Sequence, residues 1–139
     1  MSKSADEQHR LKGRCLCGGV KYEVRGPLRS VVNCHCGPCR RTHGHYSAYT
    51  AAARDDLVLH DDRTLSWYES SAIAHRGFCA RCGASLFWDA HDQPTISIAA
   101  GTLDQPTGLE TSAHIFVEHL PDYYKFDDNL EKWPHGSPG

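Results

Sequence analysis

Seven of the 139 residues are cysteine, and they fall in three clusters: Cys15-x-Cys17, Cys34-x-Cys36-x-x-Cys39 and Cys79-x-x-Cys82. This pattern constrains the fold more than any other feature of the chain. An odd number leaves a disulfide framework incomplete, whereas doublets at close spacing are how tight turns present thiolates to a metal ion. Four plus three is the count for one closed tetrahedral site and one site with an open position. A structural zinc uses four protein ligands, and a catalytic zinc keeps three and leaves room for water or substrate.

The pairs divide naturally. Cys79-x-x-Cys82-Gly83 has the form of a zinc knuckle, and Cys15-x-Cys17-Gly18-Gly19 supplies a second pair at closer spacing. Joining them ties the N-terminal segment to the middle of the chain, with metal binding coupled to folding. The remaining trio, Cys34, Cys36 and Cys39, follows a strand-like run and precedes a stretch where Pro38 suits the first turn of a short helix. Three thiolates around Zn²⁺ leave a charge of −1 and invite one further soft ligand, for which a substrate thiol is the natural choice. Two alternatives compete at this trio. His35, His43 or His45 can close it as a second structural site, His35 being the weakest candidate because alternation along an extended segment turns it away from its neighbours. Cys36-Gly37-Pro38-Cys39 also matches the dithiol of thioredoxin-type redox proteins, although the alternating strands and long helices of that fold are not evident.

Elsewhere the chain reads as β. Short runs rich in β-branched and aromatic residues recur at 19–24, 30–33, 46–52, 57–60, 65–68, 73–78, 85–88, 95–99 and 114–117, separated by Gly, Pro or Asp. The expected fold is mainly β: packed antiparallel sheets with zinc knuckles and short helical turns, in a single domain over 11–133 between polar tails at 1–10 and 134–139. A net charge of −2 with scattered Lys and Arg gives no basic field for nucleic acid. No apolar run approaches the length needed to span a bilayer, and the polar first ten residues lack a secretory h-region. The expectation is a cytoplasmic protein whose thiols stay reduced. The oligomeric state is not legible.

Taken together, Gly13 to Val20, Cys34-His35-Cys36-Gly37-Pro38-Cys39-Arg40 with Gly44, and Phe78-Cys79-Ala80-Arg81-Cys82-Gly83 resemble the glutathione-dependent formaldehyde-activating enzyme family, which also includes centromere protein V. Ala100 to Asp104 and His114 to Val117 extend the resemblance, which runs from about Lys12 to Trp133. It implies a zinc-containing fold of packed antiparallel sheets, with Cys15, Cys17, Cys79 and Cys82 on a structural zinc and Cys34, Cys36 and Cys39 on a catalytic one. It also implies a carbon–sulfur lyase that adds a small thiol, glutathione, to an aldehyde, formaldehyde, giving S-hydroxymethylglutathione. The relation to centromere protein V makes a non-catalytic, zinc-stabilised interaction module the alternative.

Outside the metal positions the signals are softer. Arg40 and Arg41 sit beside the trio and can pair with a substrate carboxylate. Phe78, Phe87 and Trp88 flank the second knuckle and read as packing around it, with a pocket wall as the other use. His43, His45 and His114 are candidate proton carriers. The acidic residues form no paired acid/base signature.

Overall fold

A computed structural model describes residues 10–136. Eleven strands and one α-helix follow one another as β1 (Arg10–Arg14), β2 (Lys21–Arg25), β3 (Val31–Cys34), α1 (Gly37–His43), β4 (Ser47–Ala53), β5 (Leu57–Asp61), β6 (Leu65–Glu69), β7 (Ala74–Cys79), β8 (Ser85–Ala90), β9 (Thr95–Ala99), β10 (Thr111–Ile115) and β11 (Glu131–Lys132). The strands form a three-stranded sheet, β1-β2-β5, and an eight-stranded sheet, β11-β10-β3-β4-β9-β8-β7-β6. The mainly β expectation holds, with one difference: β10 runs parallel to both β3 and β11, so the larger sheet is mixed. Every other pairing is antiparallel.

Side chains alternate between the faces of a strand, and residues paired across neighbouring strands share a face. In the large sheet, Ile98 pairs with Phe87 and Thr50, and this face packs on the small sheet. Tyr22 and Val24 of β2 meet Phe87, Ile96 and Ile98 there in one buried cluster that also contains Cys15 and Cys79. The Tyr22 ring stands edge-on to Phe87 at 5.4 Å between centroids, and its hydroxyl reaches Thr102 Oγ1 at 2.6 Å. Burying the phenol pushes its pKa up, desolvation being the largest cause.

The opposite face is defined by the same register. Cys34 pairs with Ser47 and Val32 with Tyr49, while Trp88 pairs with Ser97 and with Arg76. All lie on the face turned away from the small sheet, which is why they line one cavity. The expected tails at 1–10 and 134–139 fall mostly outside the described residues. Of the described positions, Arg10 pairs with Arg25 in β1, and the carbonyl of His135 accepts from the backbone N–H of Phe116 at 2.9 Å. No helix among the described residues is long and apolar enough to cross a membrane.

Candidate metal and thiol site

The fold brings Cys15, Cys17, Cys79 and Cys82 together with all four sulfurs within 4.8 Å of one another. Cys15 Sγ lies 3.7 Å from Cys17 Sγ, and Cys17 Sγ lies 3.6 Å from Cys79 Sγ. Four thiolates around zinc at a Zn–S length of about 2.3 Å stand about 3.8 Å apart by tetrahedral geometry, so the donor set fits that ion. The local backbone explains the approach. Gly18 and Gly83 adopt φ of 80° directly after Cys17 and Cys82, a conformation open to glycine, and each turns the chain back over its sulfur pair. Backbone N–H groups then face sulfur: Val20 N to Cys15 Sγ at 3.3 Å, Gly19 N to Cys17 Sγ at 3.4 Å and Cys82 N to Cys79 Sγ at 3.4 Å. The Thr64 hydroxyl, 3.2 Å from Cys79 Sγ, is the largest cause pulling that thiol down to about 6. Cys15 and Cys79 are buried in the core while Cys17 faces solvent, so this cluster brings the N-terminal segment against the β7–β8 turn.

The second cluster holds Cys34, Cys36 and Cys39, again with sulfurs within 4.8 Å, and no histidine joins it among the described residues. Cys34 ends β3, and Cys36 is the N-cap of α1, its sulfur accepting from Cys39 N at 3.4 Å. Pro38 occupies the first turn as expected, and Gly44 closes the helix with φ of 83°. Crowding three thiols makes them share protons. Cys39 is driven down, chiefly because Cys34 and then Cys36 donate to it, and Cys34 is driven up, chiefly by its contact with Cys36 and then by that with Cys39. A three-sulfur group that retains thiolate at one member is the donor chemistry a soft divalent cation takes.

His35 points away from the trio, as alternation requires. It is buried, with Nε2 2.8 Å from His114 Nδ1, and His114 Nε2 lies 2.9 Å from Asp128 Oδ2. A carboxylate accepts only, so His114 donates to Asp128 through Nε2, and the two imidazoles share a single proton between His35 Nε2 and His114 Nδ1. Burial, then His114 and His45, lower the His35 pKa to about 4. The rings of Tyr46, Tyr124 and Phe126 pack around His35. This network braces the segment between Cys34 and Cys36 from behind. His43 and His45 are engaged with tyrosine hydroxyls, Tyr49 at 3.0 Å and Tyr123 at 2.9 Å.

The trio opens onto a cavity of about 470 Å³ that all three cysteines line. Its walls are mainly apolar, with Val32, Ile115 and Phe116 contributed by β3 and by β10 and its end, and Ile73 and Trp88 near and along β7 and β8. Trp88 is therefore a pocket wall, contrary to its reading as packing around the knuckle. Phe87 enters the core because the alternation of β8 sends these neighbours to opposite faces. A second, more open hollow of about 410 Å³ beside Thr42, His43 and Gly83 contains none of the cysteines.

Arg40 and Arg41, expected to meet substrate, do not line the cavity. They sit in the last turn of α1, where the helical period carries them off the side that Cys39 turns inward. The guanidinium groups that do line it are Arg29 and Arg76, neither singled out from the sequence. The signal for Arg76 was a lone charge in the strand-like run 73–78, legible only once that face is known to be buried. The dithiol fold of thioredoxin-type proteins is also absent: the one α-helix among the described residues has seven residues and is followed by strands.

This constellation belongs to a known class. The profile of the glutathione-dependent formaldehyde-activating enzyme family matches residues 10–119, which contain both cysteine sets. The chain is a member of that family. Among its relatives is a protein of Schizosaccharomyces pombe named as an uncharacterized lyase, 23% identical over 117 residues, covering 83% of this chain and 84% of that protein. A crystal structure of a Rhodobacter sphaeroides protein superposes with a TM-score of 0.57 at 27% identity, covering 72% of this chain and 97% of that one.

Proposed function

We propose that this chain is a zinc-dependent lyase-type enzyme that makes or breaks a carbon–sulfur bond between a small thiol and an aldehyde-derived carbon, glutathione and formaldehyde being the pair its family name designates. The observation that carries the reading is an asymmetry. The four-cysteine set has the sulfur spacing of a closed site, whereas the three-cysteine set has no fourth protein donor among the described residues and lines a cavity. Cys15, Cys17, Cys79 and Cys82 hold a structural zinc in this reading, and Cys34, Cys36 and Cys39 hold the second.

A zinc ion on three thiolates supplies an open coordination position and a charge that favours the deprotonated form of an entering thiol. The chain's own contribution is placement. The N-cap of α1 fixes Cys36 relative to Cys39, the histidine network braces Cys34 and Cys36, and the apolar walls exclude water from the reacting groups. The seven cysteines are all free, in keeping with work in the reducing cytoplasm. Neither nucleic acid nor membrane enters the proposal.

The test is formation of S-hydroxymethylglutathione above the spontaneous rate, followed by NMR exchange, with zinc measured in the same sample. Two zinc ions per chain and thiol-dependent acceleration lost in Cys36→Ser support the enzyme. Two zinc ions without acceleration favour the interaction module.

A further inference from the structure

The cavity beside the three sulfurs is more apolar than formaldehyde and glutathione call for, since formaldehyde has no substituent and glutathione is polar along its length beyond the thiol. Its volume of about 470 Å³ is in the range that encloses a sizeable organic ligand. Ile73, Trp88, Val32, Ile115 and Phe116 line it, and no carboxylate does among the described residues. Phe116 is the one described non-glycine residue with positive φ, at 55°, a costly conformation for a bulky side chain. That strain is spent at the cavity wall, as strained backbone at binding sites commonly is.

Arg76 is the polar counterpart. It is 8% exposed, and its Nη2 lies 3.8 Å from Cys39 Sγ, while its Nε and Nη1 are buried without a hydrogen-bond partner. A guanidinium remains charged when buried, and unmet donors inside a protein destabilise it. Arg29, the other guanidinium at the cavity, is spent differently: Nε donates to the Ser30 carbonyl at 3.2 Å and Nη2 to the Tyr49 carbonyl at 3.0 Å. The idle donors therefore belong to the arginine that touches the sulfur cluster.

We propose that the carbon partner of this site is an aldehyde bearing an apolar alkyl or aryl group, and that Arg76 is the catalytic residue that receives its oxygen as the carbon–sulfur bond forms. The proposal rests on the thiol-plus-aldehyde reading above and specifies its substrate class. Sulfur bonds to the carbonyl carbon, the carbonyl π pair moves onto oxygen, and the proton given up by the thiol ends on that oxygen. The product is a hemithioacetal, and no oxidant or reductant is needed. Charge grows on oxygen during the step, and a fixed cation in a dry site stabilises it most at that moment. The apolar walls take the substituent.

Glutathione with formaldehyde, hexanal and phenylacetaldehyde gives the direct comparison, each rate taken above the spontaneous one. Catalysed rates at least tenfold higher for phenylacetaldehyde than for formaldehyde are expected, with a loss of about 100-fold or more in Arg76→Met, the scale seen when one oxyanion donor is removed. Phenylacetate, whose charged oxygen and ring mimic the two recognised groups, should bind wild type in a calorimetric titration and bind Arg76→Met at least tenfold more weakly. The melting temperature of Arg76→Met should not fall, because the substitution removes unmet donors; a merely structural arginine would lower it. If Arg76→Met keeps its fold but loses zinc, Arg76→Lys, which keeps charge but not the planar fork, replaces it with the same expected losses. Acceleration of formaldehyde alone, or wild-type turnover and phenylacetate binding in the Arg76 variant, overturns this inference and leaves the enzyme reading standing. No acceleration with any aldehyde overturns both.

Discussion

Serine at position 36 and serine at position 79 should have opposite consequences, although each removes one sulfur. Cys36 is half-buried, and its side chain caps α1 by accepting from Cys39 N. Serine is among the best N-cap residues, and losing a cap altogether costs only about 1 kcal/mol. The Cys36→Ser chain therefore keeps its helix and fold while losing one of three donors at the cavity. Cys79 is 0% exposed in the core cluster, and its sulfur contacts Cys17 Sγ at 3.6 Å and Thr64 Oγ1 at 3.2 Å. Structural zinc contributes roughly 10–16 kcal/mol to small metal-coupled folds, against a net stability of roughly 5–15 kcal/mol for a whole domain. Weakening that site by one ligand removes a share the domain cannot spare. Circular dichroism melts and zinc analysis of both variants check this. Cys36→Ser should melt within about 1–2 kcal/mol of wild type, with about one zinc per chain and no thiol turnover, and Cys79→Ser should be unfolded or melt far lower. Equal loss of folding in both would refute the division into a structural and an open site.

Three further outcomes follow from the packing and the charges. Tyr22→Phe should cost about 0.5–1.5 kcal/mol in a denaturant titration, because Thr102 Oγ1 keeps its bond to the Ala99 carbonyl and loses only the phenol donor. Ile98→Ala, at a position 0% exposed, should cost about 2–5 kcal/mol in the same titration. Acid should destabilise the fold: Glu23 is held below the usual carboxylate range chiefly by His60, and Asp128 chiefly by His114. A carboxylate depressed in the folded state contributes stability that is complete above its unfolded pKa of about 4 and is lost as pH falls through the folded value. Melting temperature against pH should therefore drop below about pH 4, less steeply in a Glu23→Gln/Asp128→Asn double variant than in wild type.

The strands were legible where the sequence alternates. Lys21 to Arg25 and Thr95 to Ala99 place Tyr22, Val24, Ile96 and Ile98 on a buried face, and period two is all that is needed to see it. Both cysteine clusters were legible because thiols that could hold a metal come at short spacings from tight turns, as at Gly18 and Gly83. β1 was not expected. Its residues Arg10 to Arg14 include three cations and a glycine, and it is a strand because β2 lies beside it and Glu23 pairs with Arg10 at 3.0 Å. The parallel placement of β10 against β3 is a long-range contact with no local signature. For the same reason Arg76 was overlooked in favour of Arg40 and Arg41, which are near the trio in sequence. Only the pairing of Arg76 with Trp88 across β7 and β8 brings that charge to the cavity.

The central claim is that the three-cysteine set has room for a thiol from outside the chain. Cobalt substituted for zinc and titrated with glutathione tests it most directly, because the visible and thiolate charge-transfer bands of cobalt report its ligands. The account predicts a saturable change with glutathione in wild type that is absent in Cys36→Ser. A wild-type spectrum that does not respond to thiol would contradict it.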